Sequence, residues 1–410
     1  MSESSQVTDE LLANIAVRVQ LPPSMYEKAI ERYGTIAKHL DREGSPLHDK
    51  VTEVYTQGSI AIGATIRSVS ETDEDLYDVD LIAEITGHDS SSPSEIMDIL
   101  YESIRGKKGS IYYDCTEHQT RCITVQYSDM HVDITPMIRP EFTHHAIERA
   151  GVISHATTEA PHQEFFVDTN SHGLAKYINE NVPMVEAFSE SFSKRALAYD
   201  QRVLMEKADV QPAPEQKDVQ DKSVTIVALQ LIKRHMQILW HQNNARGSFR
   251  KPPNVMLARL APDYALGNGS LTDEVIHLAI SFAAHFNHSD KVVVLNPKYE
   301  KDELTDRWPE DHRIFEDQKM LSVDMQRLGT MLEEVKKLNL VAKRKALEKL
   351  FGEIVSTAAY DSFYKAQGYE TKQEALPVFP KKGRVSIITG VGSATKSAIK
   401  PPSTTSWGSD

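Results

Sequence analysis

The chain has 410 residues, 40% apolar and 26% charged, which describes a globular protein with room for two packed units. Its net charge of −13 excludes a protein that coats nucleic acid regardless of sequence, because such affinity comes from many Lys and Arg contacts to phosphate. A site for one or two nucleotides stays open, since a few well-placed cations can supply a local positive field. With no membrane-length apolar run and no secretory profile, the expected compartment is the cytoplasm, with no membrane and no extended nucleic acid among the partners.

Taken in order, the chain begins with two predicted helices separated by Leu21-Pro22-Pro23, the first capped by Thr8 or Asp9 and the second by Ser24. In the second, Tyr26, Ala29, Ile30, Tyr33, Ile36, Ala37 and Leu40 recur at helical spacing and predict a core-facing side. The stretch from Val51 then reads as a strand running into a tight turn at Gln57-Gly58-Ser59, with Ile60 to Ile66 able to begin a helix. Backbone N–H groups and a hydroxyl at such a turn suit a phosphate.

Asp78-Val79-Asp80-Leu81-Ile82-Ala83 places two carboxylates at i and i+2 in an apolar run, so a strand here puts both on one face. Two carboxylates on one face repel unless a divalent cation neutralises them, and hard oxygen ligands favour magnesium. An earlier pair, Asp73 and Asp75, is rejected because Glu74 sits between them and no apolar strand follows directly. Ser94 to Arg105 reads as a helix after a polar loop, and Lys107-Lys108-Gly109 turns the chain toward a hairpin of Cys122–Tyr127 and Met130–Ile138. Its second arm carries Asp133, and three carboxylates on neighbouring strands would make a two-metal site.

Cys115 and Cys122 show no redox or zinc spacing and read as reduced and structural. From Pro140 to His172 the sequence reads as loop, and His144, His145, His155 and His162 lack the spacing of metal ligands. Pro212-Ala213-Pro214 reads as a linker into a helical second half. The helix from Asp221 to about Gln242 buries a stripe of Val224, Val227, Ala228, Leu231, Ile232, Ile238 and Leu239, with Lys233 on the opposite side, where a lysine is ordinarily solvated. Arg246 to Lys251 form a basic loop leading to Asn254, which fits a helix N-cap as well as a ligand-binding residue. Val292 to Pro297 and Leu304 to Trp308 read as structural, and Phe315 to Ala366 as long amphipathic helices. Residues 381–410 hold five Lys or Arg against one Asp, which predicts a basic, mostly disordered tail, read either as a floppy end or as a tether that a partner protein binds or modifies.

The Gly-Ser turn, the Asp-apolar-Asp pair and the distant apolar-Asp-apolar resemble the signature of polymerase-β-type nucleotidyltransferases. Within them the chain is similar to the bacterial CD-NTases, cyclic-oligonucleotide synthases related to cyclic GMP–AMP synthase and oligoadenylate synthase. The run from Leu21 to Tyr33 and Asp168-Thr-Asn-Ser-His-Gly-Leu-Ala175 resemble the same family, although 18 residues between Ser59 and Asp78 exceed the minimal pattern.

The resemblance implies an α+β fold, a polymerase-β-like nucleotidyltransferase core of mixed sheet and helices packed on a helical second lobe. The expected units are 1–210 for the core, 211–368 for the lobe and 369–410 for the tail. It implies that Asp78, Asp80 and Asp133 are the catalytic and metal-binding residues, holding two Mg2+ with Mn2+ as the alternative ion. It also implies that Gln57, Gly58, Ser59, Lys233 and Asn254 bind the nucleotide, with nucleoside triphosphates, ATP foremost, as substrates. The implied product is a small cyclic or linear oligonucleotide messenger of phage defence, read by a downstream effector that binds the product rather than this chain. The rival expectations are a transferase acting on an RNA end or a protein side chain, and a non-catalytic nucleotide sensor on the same fold.

Overall fold

The computed structural model describes residues 3–69, 77–88, 90–139, 147–156, 163–207, 221–242 and 250–367. Asp73 and Asp75, His144, His145, His162, the 212–214 linker, residues 246–249 of the basic loop and the 369–410 tail lie outside them. The described residues up to Phe363 form one packed unit.

Helices α1 (Glu3–Val19) and α2 (Pro23–Leu40) part at the prolines, as the sequence predicts. Their caps differ from expectation. Pro22 stands at the N-cap of α2, and the free N–H of Ser24 is taken instead by Asp200 Oδ2 at 3.0 Å, while Ser24 Oγ donates to Asp200 Oδ1 at 2.7 Å. Thr8 lies inside α1, and Asp9 accepts from the Thr272 N–H at 2.8 Å, at the start of a helix from the far half of the sequence. Residues that read locally as caps are thus spent between helices.

One sheet carries seven strands among the described residues. Strand β1 (Val51–Thr56) pairs antiparallel with β2 (Tyr77–Ile85), which pairs in parallel with β5 (Met130–Ile138). Strands β3 (Thr116–His118) and β4 (Ile123–Gln126) extend the far side antiparallel. Where β4 leaves the edge of β5, β6 (Gly151–His155) takes it up through Met137 and Ile138, and β7 (Phe165–Thr169) pairs with β6. The hairpin of β4 and β5 was legible; β6 and β7 correct the reading of Pro140 to His172 as loop.

Val79, Leu81, Ala83 and Ile85 of β2 and Val132 and Ile134 of β5 point to one face, packed with Ala29, Ile36 and Leu40 of α2 and with Met97, Leu100 and Ile104 of α4 (Pro93–Arg105). Helix α4 opens with a capping box of Ser92 and Glu95. Alternation sends Asp78, Asp80, Ile82 and Asp133 to the opposite face.

The remaining helices are α5 (Ser171–Asn181), α6 (Glu186–Lys207), α7 (Val224–Gln242), α8 (Asn254–Tyr264), α9 (Leu271–His285), α10 (Ile314–Val335), α11 (Leu340–Phe351) and α12 (Glu353–Ala366). A two-stranded ribbon, β8 (Leu295–Asn296) and β9 (Tyr299–Glu303), precedes α10. Helix α7 is central, touching α1, α8, α9 and α11. Leu229 and Gln230 are as buried as Val227 and Leu231, so the helix has no solvated side from Val224 to Met236, in contrast to the single stripe expected.

Candidate active site

The parallel register of β2 and β5 sets Asp80 directly opposite Asp133, and Asp78 opposite His131. Asp133 is fixed by Thr124 of β4, whose Oγ1 donates to Asp133 Oδ1 at 2.6 Å. Below them the chain turns at Gly58, whose φ of +58° favours glycine and whose Cα faces Asp80 so closely that a Cβ would lie 2.8 Å from Asp80 Oδ2. The helix expected after this turn amounts to one turn, α3 (Gly58–Ala61). Gln57 braces the turn: its N–H donates to the Asp80 carbonyl at 2.9 Å, and its Nε2 donates to Leu81 O at 3.3 Å and Thr135 Oγ1 at 3.2 Å. Ser59 Oγ lies 3.1 Å from Thr65 Oγ1. The Gly58 and Ser59 N–H groups have no protein acceptor among the described residues.

The electrostatics follow from this crowding. Burial, reinforced by the charges of Asp133 and Asp78 and opposed by Lys233, pushes the Asp80 carboxyl up to about 7. Burial and Asp78 raise Asp133 as well, against the bond from Thr124. Lys233 is only 7% exposed, which corrects the expectation that its side of α7 is solvated. Its Nζ donates to Ala64 O at 2.8 Å, tying α7 to the segment after the Gly-Ser turn. Burial brings its pKa down to about 8, with Asp80 and Asp78 pulling the other way.

All eight residues expected to bind nucleotide or metal, namely Gln57, Gly58, Ser59, Asp78, Asp80, Asp133, Lys233 and Asn254, line one cavity of about 660 Å3. That is the size of a small-molecule pocket. Asn254 is the first residue of α8 and Pro253 its N-cap, so the capping alternative fails. The same wall holds Arg121, Arg250, Lys251 and Arg307, which the sequence did not single out as ligands. Arg250 and Lys251 belong to the segment read only as a basic loop, Arg307 to one read as structural, and Arg121 gave no signal at all. The Asn296 motif proves structural: its Nδ2 donates to Asn170 O and to Asp302 Oδ2, both at 2.8 Å.

Three hard carboxylates, mutually repelling and, among the described residues, without an ion-pair partner apart from the distant contact of Asp78 with His131 at 3.9 Å, fit divalent cations. A second gathering of acids, exposed Asp41, His48 and Asp49 with ligand atoms within 4.8 Å of one another, is accounted for by its own turn. There His48 Nδ1 bonds to Asp41 O at 2.7 Å, and the Asp49 N–H donates to Asp41 Oδ1 at 2.8 Å.

Residues 4–164 match the family of second messenger oligonucleotide or dinucleotide synthetase domains. The chain is 37% identical over 313 residues to the cyclic dinucleotide synthase CdnG of Bradyrhizobium diazoefficiens, covering 74% of this chain and 70% of that protein. It is 20% identical over 321 residues to the c-di-GMP synthase of Roseivirga ehrenbergii, covering 77% and 76%. The structure of B. diazoefficiens CdnG in complex with GTP superimposes with a TM-score of 0.72 at 33% identity, covering 87% of this chain and 98% of that one. CdnC of E. coli MS115-1 with ATP shares the fold at a TM-score of 0.52 and 16% identity, covering 83% and 96%. With the acids gathered on one sheet face above a Gly-Ser turn and with this kinship over most of its length, the chain belongs to the CD-NTases, enzymes of the nucleotidyltransferase class.

Proposed function

We propose that the protein joins two nucleoside triphosphates, at least one of them GTP, into a cyclic dinucleotide with release of pyrophosphate. The observation that carries this reading is the register of Asp80 against Asp133 beside the Gly58 turn, in a cavity that also receives Lys233. GTP is favoured over ATP because the relative with the greater identity was solved with GTP.

In this scheme the acceptor ribose hydroxyl attacks the α-phosphorus of the donor and pyrophosphate leaves in line. Asp78, Asp80 and Asp133 would hold two Mg2+, which supply the charge that lowers the hydroxyl pKa and neutralises the phosphates. Asp133, raised by burial, takes the hydroxyl proton. The unoccupied N–H donors of Gly58 and Ser59 hold the leaving phosphates, and Lys233 offsets the charge that builds on them. Asn254 lies on the cavity wall within the same site. We place the product in anti-phage signalling, where a separate effector reads it.

The test is mass spectrometry of products from each NTP and from mixtures, with Mg2+ and with and without RNA. A nuclease-resistant dinucleotide is expected; labelled RNA or no product overturns the proposal.

A further inference from the structure

Within the cavity the cations fall into two groups. Lys233 and Lys251 act on Asp80 and Asp78, the reacting end. Arg121, Arg250 and Arg307 act instead on one another and on His155. Among the described residues Arg121 alone of these three makes an ion pair, with Asp306, and its Nε donates to His155 Nδ1 at 3.0 Å. Arg250 and Arg307 make no hydrogen bond or ion pair among the described residues, although both are partly buried in the cavity wall.

Beside the Arg121–Asp306 pair, Arg250 and Arg307 stand as two guanidiniums with no counter-charge in contact among the described residues, in a chain whose net charge is −13. Like charges held together without partners are costly unless a polyanion joins them. The surroundings are built rather than loose. His155 and Phe165 pair across β6 and β7 and stack at 4.4 Å with planes 13° apart, on the sheet face that gives Ile153 and Val167 to the cavity. Phe165 remains 49% exposed, an aromatic surface beside the arginines. Burial and the arginines hold the His155 pKa down, so the ring stays neutral and accepts from Arg121.

We propose that Arg121, Arg250 and Arg307 bind the 5′-triphosphate of the acceptor nucleotide, the substrate whose phosphates take no part in the first bond-forming step. This rests on the function proposed above. The donor triphosphate is met by the Gly-Ser turn and Lys233, so a second nucleoside triphosphate brings a second polyanion into the cavity and needs its own cations. A neutral base edge takes up one guanidinium in a bidentate contact and leaves at least one of Arg250 and Arg307 unpaired. A triphosphate engages all three. An RNA chain calls for a basic stripe along the surface, whereas this cluster is confined to the cavity.

The test uses full-length protein with a 2′,3′-dideoxynucleoside triphosphate, which can only donate, and one of two acceptors: guanosine, or guanosine 5′-(α,β-methylene)triphosphate, which cannot donate. Wild type is expected to show a KM for the triphosphate acceptor at least tenfold below that for guanosine. In Arg250→Gln and Arg307→Gln that ratio falls toward one, and Arg→Lys at either position restores part of it. A parallel rise of both KM values with the ratio kept, a rise confined to the donor KM, or equal KM values in wild type overturns the proposal. Failure of wild type to release pyrophosphate from any mixture of natural NTPs overturns the underlying function instead, and with it this assignment.

Discussion

Gly58 and Asp80 are in contact across the turn, with no room for a methyl group between the glycine Cα and the carboxylate. The turn is therefore shaped around an acid that lies 22 residues further along the chain, and its φ of +58° adds a second reason for glycine. Gly58→Ala is expected to cost about 1–2 kcal/mol from the backbone alone. Because the strain is relieved by moving Asp80, kcat should fall by roughly 100-fold. Thermal melts alongside steady-state kinetics check both, and a fully active Gly58→Ala enzyme would remove the turn from the site.

The carboxylate cluster gives the metal-free protein a specific pH response. The folded pKa of Asp80, about 7, lies above its ordinary 3.8, so the folded state binds more protons than the unfolded one between those values. Stability contributed through Asp80 is present at low pH and is lost as pH rises through about 7. In EDTA the wild-type Tm is expected to drop across this window, and Asp80→Asn should flatten the profile while reducing turnover by roughly 1,000-fold or more. Lys233 acts in a separate window: its folded pKa of about 8 lies below 10.5, so burying its charge destabilises the fold below about 8 and the loss is recovered toward 10.5.

Lys233→Met keeps the volume of a buried side chain and removes its charge. Replacing a buried ion by an apolar group is often neutral for stability. The Ala64 carbonyl loses its donor, at a cost of about 1 kcal/mol. The expected result is a nearly unchanged urea midpoint with kcat/KM lower by roughly 100- to 1,000-fold. A melt that collapses with activity intact would make Lys233 structural.

Thr124→Val removes the hydroxyl that orients Asp133 without adding bulk. A roughly tenfold loss in kcat is expected, with little change in KM, as befits a residue that positions the base. Thr124→Ser, which keeps the donor, should recover most of the rate.

Lys343 serves as a stability control far from the chemistry. Fully buried on α11, it donates to Val335 O at 2.6 Å and Lys336 O at 3.0 Å, closing the end of α10, and to Thr8 Oγ1 of α1 at 2.8 Å. Lys343→Met strands those acceptors and should cost about 2–4 kcal/mol by chemical denaturation. The KM of the surviving folded enzyme should match wild type.

The acids were legible because period-two alternation forces Asp78 and Asp80 onto one face, and Asp133 sits in an apolar run of its own. Strand β7 was illegible because Phe165 and Phe166 are adjacent aromatics that break the alternation, and β6 is only five residues long. Thr8, Asp9 and Ser24 misled because a cap is a local inference, and the groups they bond belong to helices far along the chain. Lys233 was recognised through its resemblance and placed on the wrong side by periodicity, which fails in a helix buried all round. Arg121 precedes a four-residue strand and carries no periodic or motif signal; only the packing of β6 beside it reveals its company.

The matched family stretch ends at residue 164 and holds Asp78, Asp80 and Asp133, while Lys233, the cation that acts on Asp80, comes from beyond it and hangs on the Ala64 carbonyl. Cut at that border, the first portion would be left with an unbalanced negative floor and an open side. The acids and their facing cation come together only where both portions are present. Any mutation that loosens the bond between Lys233 and Ala64 acts as a partial amputation, even with every residue still present.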